Sequence, residues 1–393
     1  MRVLFVTQRF PGLAPRGDQQ RALQQLRHLG RRHAITLLSF EAAPHAHPLA
    51  ADVAACCERV MTCTESRWRM ALRAGAGLFG SRPLQTAMCD SHPRRRAFDD
   101  LLADGGFDLV HVQLARLGGL LESPRSTPCV LDLVDALSLN MARRAQLDRP
   151  PLRWLARLEA ERLARYERAL CTRARRVSVS SPQDLAAIGE YAHLRRVDNG
   201  VDLDRFPFDG SGARGDELVF VGNLGYFPNI DAVQWFASTV WPILRSRRPT
   251  TRLRLVGSRP HPALRTLARN TPGIDLVGPV AEVCPHLHRA AIAVVPLRAG
   301  SGQQLKVLEA MAAGTPVVAT EIAAAGLDAT DGTHWRVASD ATGMADAILE
   351  LLDDRAKAQA MAVAARTFVE RGHTWARSAE ALERVWFEAV AER

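Results

Sequence analysis

The sequence predicts an α/β protein with two Rossmann-like, doubly wound parallel-sheet domains that face a central cleft. The length of 393 residues suits two domains, since single domains usually hold about 100–200 residues. Short apolar runs alternate with helical patterns along the chain, as they do where helices connect parallel strands. The alternation starts again after a stretch rich in turn residues, positions 199–217.

The strands predicted in the first half are short and apolar, which is typical of strands buried on both faces. They are residues 3–7, 34–40, 109–113, 129–133 and 176–180. A helix is predicted over residues 18–30, where leucines and alanine recur at helical spacing, and a long one over about 151–172.

The second half repeats this plan. Its predicted strands are residues 218–221, 252–256, 274–276, 291–296 and 316–320. Its predicted helices are residues 229–245, 262–269, 283–290, 303–313 and a helical tail over 342–389. We predict domains over 1–205 and 206–375, with a C-terminal helix at about 376–393 that packs back on the first domain. Ligands of such sheets bind beyond the carboxyl ends of the strands, which places the site in the cleft.

The charge balance predicts an anionic partner. Lysine and arginine number 51 against 42 acidic residues, a net charge of +9, and only Lys306 and Lys357 are lysines. No apolar run approaches the roughly 20 residues of a membrane-spanning helix, and the N-terminus lacks the pattern of a signal peptide. The expected location is therefore the cytoplasm.

Metal and disulfide sites are not expected. The seven cysteines are scattered and form no pair of CxxC elements, which argues against a disulfide framework and a zinc site. The histidine pairs His45/His47 and His286/His288 have no further ligands nearby in the sequence.

Two segments invite other interpretations. The pattern from Gly75 to Gly80 matches a dinucleotide fingerprint but follows an amphipathic helical stretch, where the fingerprint has no function. A surface helix and a membrane-interface patch are the two alternatives there. The second is considered because Trp68 and Leu72 accompany arginines. Residues 143–176 hold many arginines, which is compatible with nucleic acid, but a solvated helix with a leucine core face is favoured. That face comprises Leu152, Leu155, Leu158, Leu163 and Leu170.

The segment 294–320 carries the strongest functional signal. An apolar strand ends in Gly300-Ser301-Gly302, and a helix follows with Lys306 and Glu309 on one face. Glycines let a backbone approach a ligand, and free amides at a helix start favour an anion. The pattern suits a sugar nucleotide, with amides and lysine for the diphosphate and glutamate for the ribose. A solvated Lys306–Glu309 surface pair remains the alternative.

Four segments together resemble GT-B glycosyltransferases of family 4, the retaining enzymes of glycosyl transferases group 1. They occur in family order at residues 11–21, 196–206, 219–236 and 294–320. The resemblance implies that Glu309 is the second glutamate of the E-x7-E motif. The first glutamate is replaced by Ser301. The family's lysine after the first strand of the second domain is also absent, so the cationic role moves to Lys306.

The resemblance implies roles for the following residues. Catalytic roles fall to His111, Lys306 and Glu309, with His111 or Gln113 near the donor sugar. Donor-binding residues would be Gly222, Asn223, Arg298, Gly300, Ser301, Gly302, Gln303, Leu305, Lys306 and Glu309. Acceptor-side residues would be Gly17, Asp18, Arg21, Gln113 and Asp135, with Asp132 as a lesser candidate.

The resemblance thus implies a retaining glycosyltransferase of the hexosyltransferase class that uses a nucleoside-diphosphate sugar, and two alternatives stay open.

 The donor would be UDP- or GDP-linked, no cofactor or metal is expected, and cationic and amide groups would stabilise the leaving diphosphate. The acceptor would be a glycan or polyprenyl-linked sugar in cell-surface polysaccharide or glycoconjugate synthesis. A peripheral contact with the anionic inner face of the plasma membrane is expected, and nucleic acid is not. The alternatives are a GT-B sugar-nucleotide epimerase or hydrolase, and a catalytically silent GT-B partner subunit.

Overall fold

The computed structural model describes residues 1–12, 16–42, 48–78, 80–123, 126–211 and 215–392. His45, His47, Pro15 and Phe79, which the sequence patterns above include, lie outside these ranges. The chain divides into two units. Unit 1 comprises Met1–Asp198 and Trp375–Arg393, and unit 2 comprises Asn199–Thr374.

Unit 1 alternates strands and helices. In chain order its elements are β1 (Arg2–Thr7), α1 (Gly17–Leu29), β2 (Ala34–Ser39), α2 (Pro48–Ala55), β3 (Arg59–Thr62), α3 (Arg67–Gly77), α4 (Leu84–Cys89), α5 (His92–Ala103), β4 (Leu109–Gln113), a 3-10 helix (Ala115–Leu121), β5 (Cys129–Val134), α6 (Leu137–Leu147), α7 (Leu152–Cys171), β6 (Arg176–Val179), α8 (Pro182–Ile188) and β7 (Leu194–Arg196).

The strands of unit 1 form one parallel sheet in the order β3-β2-β1-β4-β5-β6-β7. The central strands are apolar and buried because helices cover both faces of the sheet. The last helix of the chain, which is numbered α17 below, packs against α1 on one of these faces.

Unit 2 has the same construction. In chain order its elements are β8 (Glu217–Val221), α9 (Phe227–Trp235), a π-helical turn (Phe236–Val240), α10 (Trp241–Arg247), β9 (Arg252–Val256), α11 (Pro262–Asn270), β10 (Ile274–Gly278), α12 (Cys284–Arg289), β11 (Ile292–Val295), α13 (Leu305–Ala312), β12 (Val317–Thr320), α14 (Glu321–Ala324), β13 (Arg336–Ala338), α15 (Ala341–Asp353) and α16 (Arg355–Gly372). Helix α17 (Trp375–Ala391) then returns to unit 1.

The second sheet is also parallel, in the order β10-β9-β8-β11-β12-β13. In both sheets the chain builds outward from the first strand, first to one side and then to the other. The strand order therefore reverses between β1 and β4 in unit 1 and between β8 and β11 in unit 2. Ligands of doubly wound sheets bind at such switch points, beyond the carboxyl ends of the two strands.

The predicted pair of doubly wound parallel sheets is confirmed, and the structure adds detail. The short strands β3, β7 and β13 at the sheet edges were not predicted. The helix predicted over 229–245 contains a π-helical turn, and the predicted helical tail is three separate helices. Within the described ranges, no helix is both long and apolar enough to cross a bilayer.

Candidate functional site

The switch point of unit 2 brings two loops together. Gly222 follows β8, and the loop from Pro296 to Gln304 connects β11 to α13. Strands β8 and β11 are hydrogen-bonded neighbours, so their following loops leave the same edge of the sheet side by side. Most residues that the sequence predicts for donor binding lie on these two loops and the first turns of α13.

Lys306 lies at the centre of this group. Its ammonium Nζ donates a hydrogen bond to Oδ1 of Asn229, at 2.6 Å, and lies 4.6 Å from the centre of the Phe220 ring. The side chain therefore runs from α13 across to β8 and α9. An ammonium carries three N–H donors, of which Asn229 accepts one. Lys306 is positioned to present a cation at the switch point.

The surroundings of Lys306 lower its pKa to about 7, chiefly because burial disfavours the charged form. The carboxylate of Glu309, one helical turn further along α13, acts in the opposite direction. An anionic ligand beside the ammonium would restore the charged form. The site therefore favours a negatively charged group at this position.

Gly222 leaves room for the observed positions of Lys306 and Asn229. A Cβ atom at residue 222 would lie 2.9 Å from Nζ of Lys306 and 2.9 Å from Nδ2 of Asn229. These distances are shorter than real Cβ contacts, so a side chain at 222 would displace both groups. The adjacent Gly257 is required in turn, because a Cβ there would lie 1.7 Å from the carbonyl oxygen of Gly222. Its φ of +151° also disfavours an L side chain.

The Gly300-Ser301-Gly302 turn lies between β11 and α13. Gly300 and Gly302 have φ values of +126° and +68°, which glycine adopts without strain. Ser301 is buried between them, and its carbonyl oxygen accepts a hydrogen bond of 3.1 Å from Nε2 of Gln304. The turn also approaches another backbone closely, since a Cβ at Gly326 would lie 2.6 Å from the oxygen of Gly302. The predicted glycine-rich turn therefore exists, in a tightly constrained form.

Two predicted donor-binding residues have structural partners of their own. The guanidinium of Arg298 makes two hydrogen bonds to Asp231, at 3.0 and 2.6 Å, and lies over Trp235. The side-chain oxygen of Gln303 accepts a bond of 2.6 Å from the N–H of Asn199. These contacts tie Arg298 to α9 and Gln303 to the start of unit 2. Donor binding by the two residues stays a prediction.

Asn223, Leu305 and Glu309 complete the predicted set. The side chain of Asn223 accepts a bond of 3.1 Å from the N–H of Gly225, and its carbonyl oxygen accepts one of 2.9 Å from Nδ2 of Asn229. Asn223 thus shapes the turn that carries Asn229. Leu305 begins α13 and packs against the core of unit 2. Glu309 is half-buried on the same helix.

The sequence reasoning missed Asn229 and Phe220 as site residues. Asn229 is buried near the start of α9, where it holds the ammonium of Lys306. Asn229 lies in the 219–236 segment that resembles the family, but the pattern of that segment did not indicate a contact with Lys306. Phe220 gave no functional signal, because an aromatic residue in an apolar strand is most simply explained by the core.

The switch point of unit 1 holds part of the predicted acceptor side. Gly17 is the first residue of α1 and is exposed. Asp18 follows it and forms an ion pair of 2.6 Å with Arg9. Gln113, at the end of β4, donates a hydrogen bond of 3.3 Å from Nε2 to the carbonyl oxygen of Asp18. Gly17, Asp18 and Gln113 therefore lie together at the switch point between β1 and β4.

Arg21 does not belong to that surface. Its side chain is fully buried, and Nε donates to Oδ2 of Asp132 at 2.8 Å. The same carboxylate accepts bonds from the hydroxyl of Ser178, at 2.9 Å, and from the N–H of Val134, at 3.2 Å. This network opposes the effect of burial and lowers the pKa of Asp132. The acceptor-side predictions for Arg21 and Asp132 are therefore corrected to a structural role.

The prediction of a catalytic role for His111 is also corrected. The residue is fully buried, with its ring 4.3 Å from that of Phe5, and its Nδ1 accepts a hydrogen bond of 3.2 Å from Nε1 of Trp386. Burial lowers the pKa of His111 to about 4, so the ring is neutral at physiological pH. A substrate has no access to this ring. Of the two alternatives, Gln113 lies at the strand end and His111 lies in the core.

Asp135 follows a strained position. Val134 has a φ of +66°, which is an outlier for a β-branched residue, and Leu114 at the end of the neighbouring β4 has a φ of +78°. The two strand ends are joined by a hydrogen bond of 2.7 Å from the N–H of Leu114 to the oxygen of Asp132. Asp135 is half-buried beyond them. The strain lies at the edge of the sheet where the acceptor side is predicted.

The other sequence candidates behave as ordinary structure. Among the residues described, no cluster of three or more histidine, cysteine or acidic side chains could hold a metal ion. The seven cysteines are all free thiols. Gly75 and Gly77 lie within α3 and not at a strand-to-helix turn, so the dinucleotide fingerprint there is not a nucleotide site.

Comparison with known proteins agrees with this geometry. Residues 215–354, which include the whole Lys306 site, match the family model described as Glycosyl transferases group 1. Two relatives come from Mycobacterium tuberculosis. A glycogen synthase is 32% identical over 214 residues, which cover 50% of this chain and 49% of the relative. A GDP-mannose-dependent alpha-(1-6)-phosphatidylinositol monomannoside mannosyltransferase is 32% identical over 220 residues, covering 48% and 54%. The chain thus spans about half the length of the curated relatives it matches.

Solved structures resemble the chain over its whole length. Sucrose-phosphate synthase from Thermosynechococcus elongatus superposes with a TM-score of 0.75 at 17% identity, covering 100% of both chains. Anabaena HepE, solved in complex with UDP-glucose, superposes with a TM-score of 0.70 at 14% identity, also covering 100% of both. With two parallel Rossmann-like sheets in the chain itself, these similarities confirm the predicted GT-B fold.

Proposed function

We propose that the chain is a retaining glycosyltransferase of family 4. It would transfer a sugar from a nucleoside-diphosphate sugar to a hydroxyl of a glycan or lipid-linked acceptor in cell-surface polysaccharide or glycoconjugate synthesis. The observation that carries the proposal is the convergence of Lys306, Asn229 and Gly222 at the switch point of unit 2. The match of residues 215–354 to the group 1 family and the UDP and UDP-glucose complexes of HepE support it.

The donor diphosphate is assigned to Lys306 and to the backbone amides of the Gly300–Gly302 turn. A cation and N–H groups fixed in place stabilise the charge that develops on a leaving diphosphate. Asn229 orients the ammonium, and Gly222 leaves the space beside it. Glu309 is assigned to the ribose hydroxyls, as the family resemblance implies. Ser301, where the family has glutamate, would be near the transferring sugar.

In the reaction, the bond between the anomeric carbon and the diphosphate oxygen breaks, and the electron pair stays with the diphosphate. The acceptor hydroxyl bonds to the anomeric carbon from the same face. Its proton passes to an oxygen of the leaving diphosphate, so charge and protons balance. Gly17, Asp18 and Gln113 are assigned to the acceptor side, with a polyprenyl-linked sugar at the inner face of the plasma membrane as the proposed acceptor. The proposed reaction assigns no role to a metal ion.

Donor screening followed by product analysis tests this proposal. Thermal unfolding is measured with UDP-, GDP- and other nucleoside-diphosphate sugars, and the donor that stabilises the chain is then incubated with lipid-linked acceptors. The expected product is a glycoside with the anomeric configuration of the donor, as read by NMR. Conversion of the donor without acceptor would indicate an epimerase or hydrolase instead. Failure of every donor to stabilise the chain would favour a silent partner subunit.

A further inference from the structure

Arg259, in the loop that follows β9, has a backbone conformation that arginine rarely adopts. Its φ is +54°, in the left-handed region that favours glycine. Pro260 follows it, and a residue before proline prefers an extended backbone, which makes this conformation less favourable still. Strain of this kind persists only where the surroundings hold it, and it is concentrated at functional sites. The loop thus keeps an arginine where glycine would carry less strain.

The loop after β8 holds Arg259 in this conformation. The N–H of Leu224 donates a hydrogen bond of 2.8 Å to the carbonyl oxygen of Ser258, and the N–H of His261 donates one of 3.2 Å to the carbonyl oxygen of Leu224. Arg259 lies between these two bonds in the chain. A Cβ atom at Gly225 would lie 2.8 Å from the carbonyl oxygen of Arg259 and 3.2 Å from its Cβ atom. Because the two loops pack this closely, they fix the position from which the side chain of Arg259 starts.

The same pair of loops borders the Lys306 site. The N–H of Gly222 donates a hydrogen bond of 3.0 Å to the carbonyl oxygen of Val256, and a Cβ atom at Gly222 would lie 2.9 Å from Nζ of Lys306. Gly225, against which Arg259 packs, is three residues further along the chain, so its Cα atom lies within about 11 Å of that of Gly222. The side chains of Lys306 and Arg259 therefore start at one edge of the sheet, within reach of one ligand.

The charge of Arg259 is available to a ligand. Its side chain is exposed, and its guanidinium forms no hydrogen bond or ion pair with any residue that the structure describes. The other arginine in the loops that follow β8, β9 and β11 is Arg298, which is paired with Asp231. Burial removes part of the charge of Lys306 at neutral pH by lowering its pKa to about 7, whereas a guanidinium stays charged. Arg259 thus supplies a full positive charge beside a cation that is only partly charged.

We propose that Arg259 is a second cation of the donor site and that its guanidinium binds a phosphate group of the nucleoside-diphosphate sugar beside Lys306. This inference rests on the proposed function, because it adds a residue to the same site. The diphosphate of such a donor carries more than one negative charge, and Lys306 neutralises at most one. The planar guanidinium offers paired N–H donors that match the oxygens of a phosphate. A charge-assisted contact of this kind offsets the strain in the backbone of Arg259 once the donor is bound.

Calorimetric titration of wild type and R259G with UDP, GDP and inorganic pyrophosphate tests the proposal. Glycine removes the guanidinium and also the strain, because it adopts a φ of +54° freely. R259G should therefore unfold at the same or a higher temperature than wild type, yet bind the diphosphates at least about tenfold more weakly. R259K keeps a charge and should lose less affinity than R259G. Uridine and guanosine, measured by NMR, should bind wild type and R259G equally, because they carry no phosphate.

Matched variants separate the possible outcomes. R269Q removes an exposed arginine from α11 of the same unit and should bind the diphosphates like wild type. The inference is overturned if R259G binds the diphosphates like wild type, or if it loses nucleoside affinity to the same extent, which would place Arg259 against the base or ribose. A lower unfolding temperature of R259G would instead make Arg259 a structural residue and also overturn it.

Failure of the proposed function gives a different result. Diphosphate binding that depends on both Arg259 and Lys306, without sugar transfer to any acceptor, would contradict the transferase and support the present inference. Weaker binding in K306A together with unchanged binding in R259G would leave the proposed donor site standing and overturn the role of Arg259. If wild type binds none of UDP, GDP and pyrophosphate, both the proposed function and the inference are refuted.

Discussion

The ammonium of Lys306 and the side-chain oxygen of Asn229 lie 2.6 Å apart, although the residues belong to different helices and are 77 positions apart. The contact joins α9 and α13, the helices that follow the two loops at the switch point of unit 2. It fixes one N–H of the ammonium and leaves the group beside the ring of Phe220, where burial lowers its pKa to about 7. Lys306 is thus oriented and only partly charged before a ligand arrives.

Donor binding should depend on pH through Lys306. Because the pKa of Lys306 is about 7 and an anion favours the charged ammonium, binding above pH 7 takes up a proton. The Kd of the nucleoside-diphosphate sugar should therefore rise up to about tenfold per pH unit above 7. Calorimetry at pH 8 in buffers of different protonation enthalpy measures this uptake. K306M should bind weakly with a flat profile, and a flat profile in the wild type would refute the assignment.

The space at Gly222 should matter for the same site. In G222A the new Cβ lies 2.9 Å from Nζ of Lys306 and from Nδ2 of Asn229, so one or both must move. We expect only a small loss in stability, because the atoms that must move are the ends of flexible side chains, but a loss of about tenfold in donor affinity, because those ends form the site. Urea unfolding and calorimetry measure the two effects. G372A is the control, since nothing lies within 4 Å of a Cβ there; equal behaviour of the two variants would contradict the prediction.

The buried ion pair of unit 1 predicts a large effect on stability. R21M leaves the carboxylate of Asp132 buried without its cation, which costs about 3–5 kcal/mol. R9M removes the more exposed cation paired with Asp18 and should cost about 1 kcal/mol or less. The free energy of unfolding in urea compares them. Similar losses in both variants would show that the Arg21–Asp132 pair is not the structural element described above.

His111 should stay neutral across the physiological range. Its pKa is lowered to about 4 by burial, below the ordinary 6.5, so its contribution to stability is present above pH 6.5 and is lost as the pH falls toward 4. NMR of the ring should show no titration between pH 5 and 9. In H111Q, the dependence of sugar transfer on pH between 6 and 8 should match that of the wild type. A titration near 6.5, or a limb of the pH–rate profile that H111Q abolishes, would restore His111 as a catalytic candidate.

The central sheets were predictable because their strands are apolar on both faces. Strands such as β1 and β4 are short uninterrupted apolar runs, and covering helices are the only simple explanation for them. The edge strands β3 and β13 were not predictable from the sequence. Strand β3 has four residues, none of them buried, and β13 has three residues, of which only Ala338 is buried. The sequence pattern of such short, polar segments cannot be distinguished from that of loops.

The geometry of the candidate site was predictable where its residues are close together in the sequence, and not where residues distant in the sequence decide the environment of a side chain. Gly300, Gly302 and Lys306 form one local pattern, and the structure brings them to the switch point. His111 gave the opposite outcome, because the residue that covers it is Trp386, at the far end of the chain. Periodicity showed that α7 has an apolar face but could not show that the rest of the unit covers only half of it.

The central claim is that Lys306 binds the donor diphosphate, and the chain provides its own control because its only other lysine is Lys357, which pairs with Glu350 on α15. The most direct test is calorimetric binding of the stabilising nucleoside-diphosphate sugar to wild type, K306A and K357A at pH 7. K306A is expected to weaken binding by at least about tenfold, because a charge-assisted contact is lost, and K357A is expected to bind like wild type. Unchanged affinity in K306A, or equal losses in both variants, would contradict it.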